Sequence, residues 1–214
     1  MYNINQKITD LYLMNCSELH KNTTYLNAYS LLDDIRKEKT NQYNTLEDKC
    51  VSIGVGLLCN LLRSRYHIPS VLYNKCGKPF LINSRFYISI SHSVDYAFVG
   101  LSTSPLGIDI EYQDRDYLYI ADHFFTNDER EEIGKSNDNV KTFFDIWCRK
   151  ECIIKKNGFQ ELQRFSVLVT QPNNDFYSFS IPNYSCVCYS DNTIPVTFQE
   201  INICDILSRN MQNF

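Results

Sequence analysis

The chain has 214 residues, with 21 Lys and Arg against 25 Asp and Glu and a formal net charge of −4. Its 43% hydrophobic and 21% charged residues are enough to bury a full core, which excludes intrinsic disorder, and the mildly acidic balance supplies no global basic field for a nucleic-acid backbone. The nine cysteines are odd in number, irregularly spaced and contain no CxxC pair, so they read as small hydrophobes in a reduced, cytoplasmic protein.

The length admits one large domain or two small ones. The N-terminus has no charged-then-apolar signal pattern, and no apolar stretch approaches the ~20 residues that span a bilayer, so no membrane association is expected. In chain order, residues 1–15 hold a short strand, and Leu31, Leu32 and Ile35 among charges predict a short helix over 30–39. Leu46, Val51, Ile53, Leu57, Leu58, Leu61 and Leu62 predict a helix over 46–66, with Arg63, Arg65 and His67 at its negative pole and Pro69 as its stop. The period then changes to two. Phe86, Ile88 and Ile90 mark one strand, residues 94–101 a second, and Leu106, Ile108 and Ile110 a third. The turn-prone Ser104-Pro105 lies near the midpoint and predicts a joint between an N-terminal α+β unit, 1–104, and a C-terminal one, 105–214. Helices are predicted over 124–133 and 140–156, and antiparallel strands over 165–203.

Asp109 and Glu111 are two apart on the third strand, so both carboxylates point to one face while Ile108 and Ile110 point to the other. A solvated face explains them cheaply. A cation between them explains them as well, and such hard oxygen ligands suit Mg²⁺. On the helix over 140–156, Glu151 shares a stripe with Phe143, Trp147 and Ile154, where a carboxylate is expensive unless paired or metal-bound. Lys155 stands at i+4, so the choice is between a helical ion pair and a third metal ligand followed by a cation aimed at a phosphate. Ser91-His92-Ser93 could suggest Ser–His–Asp hydrolysis, but neither serine lies on a G-x-S-x-G elbow. Cys76-Gly77-Lys78-Pro79 lacks P-loop spacing, and Cys186-x-Cys188 lacks the second ligand pair of a zinc site.

Taken in order, Gly77-Lys78-Pro79, Ser89-Ile90-Ser91-His92-Ser93, Gly107-Ile108-Asp109-Ile110-Glu111, Phe124-Phe125 with Glu129, and Trp147-Cys148-Arg149-Lys150-Glu151 with Lys155 and Gly158 resemble the signature of the Sfp-type 4′-phosphopantetheinyl transferases. The resemblance is strong over about 76–160 and looser over 30–68. It implies an α+β pseudo-dimer of two similar subdomains with the active site in the cleft between them. It also implies a cytoplasmic, monomeric enzyme that moves the phosphopantetheine arm of coenzyme A to a serine of an acyl or peptidyl carrier protein, releasing 3′,5′-ADP. By this resemblance Asp109, Glu111 and Glu151 hold Mg²⁺, Glu151 also serves as base directly or through water, and Lys155 binds the phosphates and stabilises or protonates the leaving group. Lys150 adds positive charge, Ser91 and His92 contact coenzyme A phosphates, and Lys78 and Pro79 line the adenine site.

Three positions depart from the family pattern. Cys50 stands where a basic residue is usual, with Lys49 beside it, which leaves Arg36, Lys37, Lys39 and Lys49 as unranked candidates for the 3′-phosphate. Gln160 replaces a glycine after the helix over 140–156, and the basic residue before Phe124 is His123. The competing readings are a catalytically inactive carrier-protein-binding homologue and a metal-dependent phosphodiesterase that needs no protein acceptor.

Overall fold

The computed structural model describes residues 6–114, 118–158, 175–191 and 193–211. The elements in order are β1 (Thr9–Asn15), a 3₁₀ turn (Ser17–His20), α1 (Asn22–Ser30), α2 (Asp34–Asn41), α3 (Leu46–Tyr66), β2 (Leu72–Tyr73), β3 (Pro79–Phe80), β4 (Tyr87–Ser93), β5 (Tyr96–Ser102) and β6 (Gly107–Tyr112). They continue with α4 (Leu118–Phe124), α5 (Asn127–Lys135), α6 (Asn139–Asn157), β7 (Phe176–Ile181), β8 (Tyr184–Tyr189), β9 (Val196–Glu200) and α7 (Ile203–Met211). The mixture is α+β, as the sequence implies.

Two sheets carry the fold, ordered β4-β5-β1-β9 and β6-β8-β7, with a two-stranded β2-β3 ribbon beside them. Both sheets are built the same way. In β1–α3–β4–β5 and again in β6–α6–β7–β8, a strand leads to a long helix and then to a hairpin whose second strand lies in the middle. This is the internal repetition that the residues themselves do not display.

Local chemistry explains the main elements. Thr45 caps α3 by accepting the Asp48 N–H at 3.1 Å, and the helix ends on His67 in the left-handed region, φ 52°. From Cys50 to Cys59 every residue of α3 is buried, as expected of a helix apolar on all sides, and it packs on β5 and β1. In β6, Ile108 and Ile110 face Leu11, Leu13, Phe98, Cys186 and Cys188, one apolar cluster shared by both halves. The cysteines of Cys186-x-Cys188 therefore belong to the core. The opposite face of this second sheet, at Val187, is covered by Cys148 and Cys152 of α6.

Four expectations need correction. The helix predicted over 124–133 is two helices, α4 and α5, broken at Phe125-Thr126, where Thr126 and Glu129 form a reciprocal capping box. The strand β9 runs parallel to β1 (Thr9 opposite Val196, Leu11 opposite Phe198) and not antiparallel, because period-two alternation encodes a buried face and not a direction. Phe198 lies against Phe98 and Phe179, so the C-terminal strand joins the N-terminal sheet, and Ile203 and Leu207 of α7 enter the core that surrounds α3. The strict split at 104/105 thus does not extend to the last described segment. α1 and α7 were not anticipated, and the predicted strand over 165–174 lies outside the described residues. No described helix is long and apolar enough to cross a membrane.

Gly107 sets the distance between β6 and α6. A Cβ built there would stand 1.8 Å from the backbone oxygen of Cys152, a contact no side chain can accept. Gly107→Ala is expected to push α6 off the sheet and lower stability by at least about 3 kcal/mol. Thermal unfolding checks this, and an unchanged melting temperature would show that the helix is not held by this contact.

Candidate active site

The facing edges of the two sheets, β4 and β6, are joined through side chains. The hydroxyls of Ser89, Ser91 and Ser93 accept the backbone N–H groups of Ile108 (3.2 Å), Ile110 (3.3 Å) and Tyr112 (3.0 Å). Each step of two along β4 meets a step of two along β6, so one serine serves each inward-pointing amide. Two of these hydroxyls then donate onward, Ser91 to Asp109 Oδ1 at 2.7 Å and Ser93 to Glu111 Oε2 at 3.1 Å. The serine ladder thereby closes the edge of β6 and aims both carboxylates at once.

Opposite them, α6 presents Trp147, Glu151 and Lys155, one helical turn apart, into the same cleft of about 370 Å³ as Asp109 and Glu111. The three carboxylates expected to converge on one cation all line this cleft. Lys155 does not pair with its helical neighbour Glu151. Its Nζ donates to Asp109 Oδ1 at 2.6 Å and to Ser91 Oγ at 3.0 Å. Asp109 Oδ2 is buried and, among the described residues, has no hydrogen-bond partner.

This crowding shows in the proton affinities. Burial, then the charge of Asp109, pushes Glu111 up to about 7, against the relief of the Ser93 hydroxyl. Burial and Asp109 likewise raise Glu151, with Lys155 opposing. Burial alone would lower Lys155, but the charge and hydrogen bond of Asp109 outweigh it, with Glu151 adding to them, and raise it. The lysine is a fixed cation and the carboxylates are a site short of positive charge. Hard oxygen donors, one of them an unsatisfied buried Asp oxygen, fit a Mg²⁺ ion. Among the described residues no group of three His, Cys, Asp or Glu stands close enough, as the side chains lie here, to hold a metal ion.

The other wall of the cleft is basic and belongs to the N-terminal half: Arg36, Lys39 and His92, with Tyr43 and Tyr73. Arg36 is buried and donates through Nε to the Ser52 carbonyl at 2.8 Å. His92 is exposed on the wall. Desolvation by its surroundings, then the Lys155 and Arg36 cations, push its imidazole below the ordinary histidine value.

Several predicted positions fall elsewhere. Lys150 does not face the cleft. Its side chain is 0% exposed, ion-paired with Glu129 at 2.9 Å and bonded to the Phe124 carbonyl at 3.1 Å. Five residues along a helix rotate a side chain by about 140°, so Lys150 braces the α4–α5 break while Lys155 faces the carboxylates. Ser91 is buried and engaged with Asp109, Lys155 and Ile110, which makes it a support of the site. Lys49 is not among the described residues that line the cleft, and Cys50 is buried in the core. Pro79 lines the cleft and also an adjoining groove of about 340 Å³, where Lys78 lies with Phe80, Leu81 and Lys156. Sequence reasoning missed Trp147 and Tyr73 as cleft residues and the serine ladder as the frame of Asp109 and Glu111. The ladder was legible as three serines spaced by two beside three β6 residues spaced by two. Gln160 lies outside the described residues.

Because the folded value of Glu111 lies above its ordinary 4.5, folding favours the neutral carboxyl. That contribution to stability is full below the ordinary value and is lost as pH rises through about 7. Melting temperature without divalent metal is expected to fall between about pH 4.5 and 7, and Glu111→Gln, which cannot ionise, to flatten the fall. A slope unchanged in Glu111→Gln would place its origin outside this cluster.

Comparison with known proteins locates the resemblance. A family model described as ACPS, 4′-phosphopantetheinyl transferase superfamily, matches residues 105–201. The chain is 32% identical over 138 residues to the 4′-phosphopantetheinyl transferase gsp of Aneurinibacillus migulanus, an alignment that covers 60% of this chain and 58% of that protein. It is 27% identical over 173 residues to the 4′-phosphopantetheinyl transferase Sfp of Bacillus subtilis (strain 168), covering 75% of each. To the 4′-phosphopantetheinyl transferase AcpT of Salmonella typhimurium it is 32% identical over 119 residues, 53% of this chain and 62% of that protein. The chain thus spans about three fifths of the length of gsp and AcpT.

Proposed function

We propose that this chain, a member of the 4′-phosphopantetheinyl transferase superfamily, transfers the phosphopantetheine arm of coenzyme A to a serine hydroxyl of an apo acyl or peptidyl carrier protein. The observation that carries the reading is a single cleft with Asp109, Glu111, Glu151 and Lys155 on one wall and Arg36, Lys39 and His92 on the other. A pyrophosphate with a further phosphate at one end needs that division into a metal-binding wall and a cationic wall.

In the reaction the serine oxygen forms a bond to the phosphorus that bears the pantetheine arm, the bridging P–O bond breaks, and 3′,5′-ADP leaves. Asp109, Glu111 and Glu151 are the residues that would hold Mg²⁺. When bound, the ion neutralises charge on the pyrophosphate and polarises the attacked phosphoryl group. Glu151 takes the serine proton, directly or through a water. Lys155 supplies fixed positive charge to the departing phosphate. Its raised value argues for stabilisation by charge over proton donation. Arg36, Lys39 and His92 bind the 3′-phosphate, which ranks Arg36 and Lys39 above Lys37 and Lys49. Lys78 and Pro79 line the groove for the adenine. The protein works as a cytoplasmic monomer on this reading, and the retained carboxylates and Lys155 favour an active enzyme over an inactive homologue.

The direct test incubates apo carrier proteins with the chain, coenzyme A and Mg²⁺ and reads their mass. One added phosphopantetheine on the carrier serine is expected. Release of 3′,5′-ADP with no carrier present would instead support the phosphodiesterase. Lys155→Ala is expected to lower kcat by about 10²–10³. It also leaves Asp109 without its ion-pair partner, so a lower melting temperature in metal-free buffer is expected alongside. A near-normal kcat would remove Lys155 from the mechanism.

A further inference from the structure

Arg36 and Lys39 stand three residues apart on α2, on the same helical face, and both line the cleft. Two like charges so placed repel. Burial, then the charge of Arg36, lowers the proton affinity of Lys39. Something must hold the pair side by side and charged.

One residue does both. The Tyr73 hydroxyl accepts a hydrogen bond from Arg36 Nη1 at 2.7 Å, and the face of its ring lies under Lys39 Nζ, 4.0 Å from the centroid. The hydroxyl fixes the guanidinium, which the Ser52 carbonyl holds at its other end through Nε, and the ring quadrupole attracts the ammonium. Tyr73 is itself anchored. Its strand β2 pairs with β3, with Tyr73 opposite Pro79, and both residues line the cleft. Burial pushes the phenol up to about 12, so the hydroxyl stays neutral at physiological pH and never adds a competing negative charge.

We propose that Tyr73 is the positioning residue that joins Arg36 and Lys39 into one two-cation clamp on the cleft wall, and that it thereby sets the preference for coenzyme A over dephospho-coenzyme A. The inference rests on the reading that this cleft takes coenzyme A. It adds a residue to which neither the sequence motifs nor the resemblance gives a role. A tyrosine that merely packs would support both ligands equally, whereas a clamp for the 3′-phosphate acts only on the ligand that carries one.

The test uses Tyr73→Phe, which keeps the ring and removes the hydroxyl, and Tyr73→Leu, which removes both. KM and kcat are measured for coenzyme A and for dephospho-coenzyme A with the same carrier protein, together with melting temperatures. Tyr73→Phe is expected to raise KM for coenzyme A about tenfold, with kcat and the KM for dephospho-coenzyme A little changed. Tyr73→Leu is expected to lose most of the remaining preference between the two. Equal changes for both ligands, or no change in Tyr73→Phe, would overturn the clamp. If Tyr73→Leu does not fold, Tyr73→Phe decides alone. If the unaltered chain transfers nothing, the proposed activity fails separately, and calorimetric affinities of the two ligands for the unaltered chain and Tyr73→Phe still decide the role of Tyr73 by the same criterion.

Discussion

Everything at the site depends on how two sheet edges meet without pairing as strands. A free edge leaves backbone N–H groups that must be satisfied if they are buried. In β6 those of Ile108, Ile110 and Tyr112 point away from β8 and toward β4. A direct ladder would fuse the halves into one continuous sheet. The serine hydroxyls of β4 act as spacers that satisfy the same amides and retain donors of their own. Ser91 and Ser93 spend those donors on Asp109 and Glu111. The joint between the halves and the orientation of the acidic wall are therefore one set of hydrogen bonds.

The second constraint is charge. A chain with net charge −4 gathers a basic wall and an acidic wall within one cleft. Lysines on the same helix receive opposite assignments. Lys150 is consumed in a closed pair with Glu129, which holds the break between α4 and α5 against α6. Lys155, about a quarter exposed at 26%, pairs with the nearly buried Asp109 and keeps a side open to the cleft. The closed pair supports structure and the open pair is available for chemistry. Gly107 makes this possible by letting α6 approach β6 closely enough for Glu151 and Lys155 to share space with Asp109.

Much of this was legible in the residues. The alternation of Ile108 and Ile110 with Asp109 and Glu111 placed the acidic pair on one face of a strand, and helical spacing placed Glu151 and Lys155 on one stripe. The partner of Lys155 was not legible, because i,i+4 spacing names a neighbour on the same helix while the sheet beneath offers a nearer one. Lys150 was misassigned for the reverse reason: adjacency to Glu151 in sequence is about 100° of rotation on a helix. The parallel docking of β9 was hidden because alternation carries no direction. The pairing of Tyr73 with Arg36 crosses 37 positions, beyond any local pattern.

The central claim is that Asp109, Glu111 and Glu151 form one metal site facing a cationic wall for coenzyme A. A crystal structure of the chain with coenzyme A and Mg²⁺ tests it most directly. One ion with an oxygen from each of the three carboxylates at about 2.1 Å, and with pyrophosphate oxygens completing its shell, is the expected result. An ion bound elsewhere, or Asp109 left paired with Lys155 as it is now and coenzyme A lying outside the cleft, would contradict it.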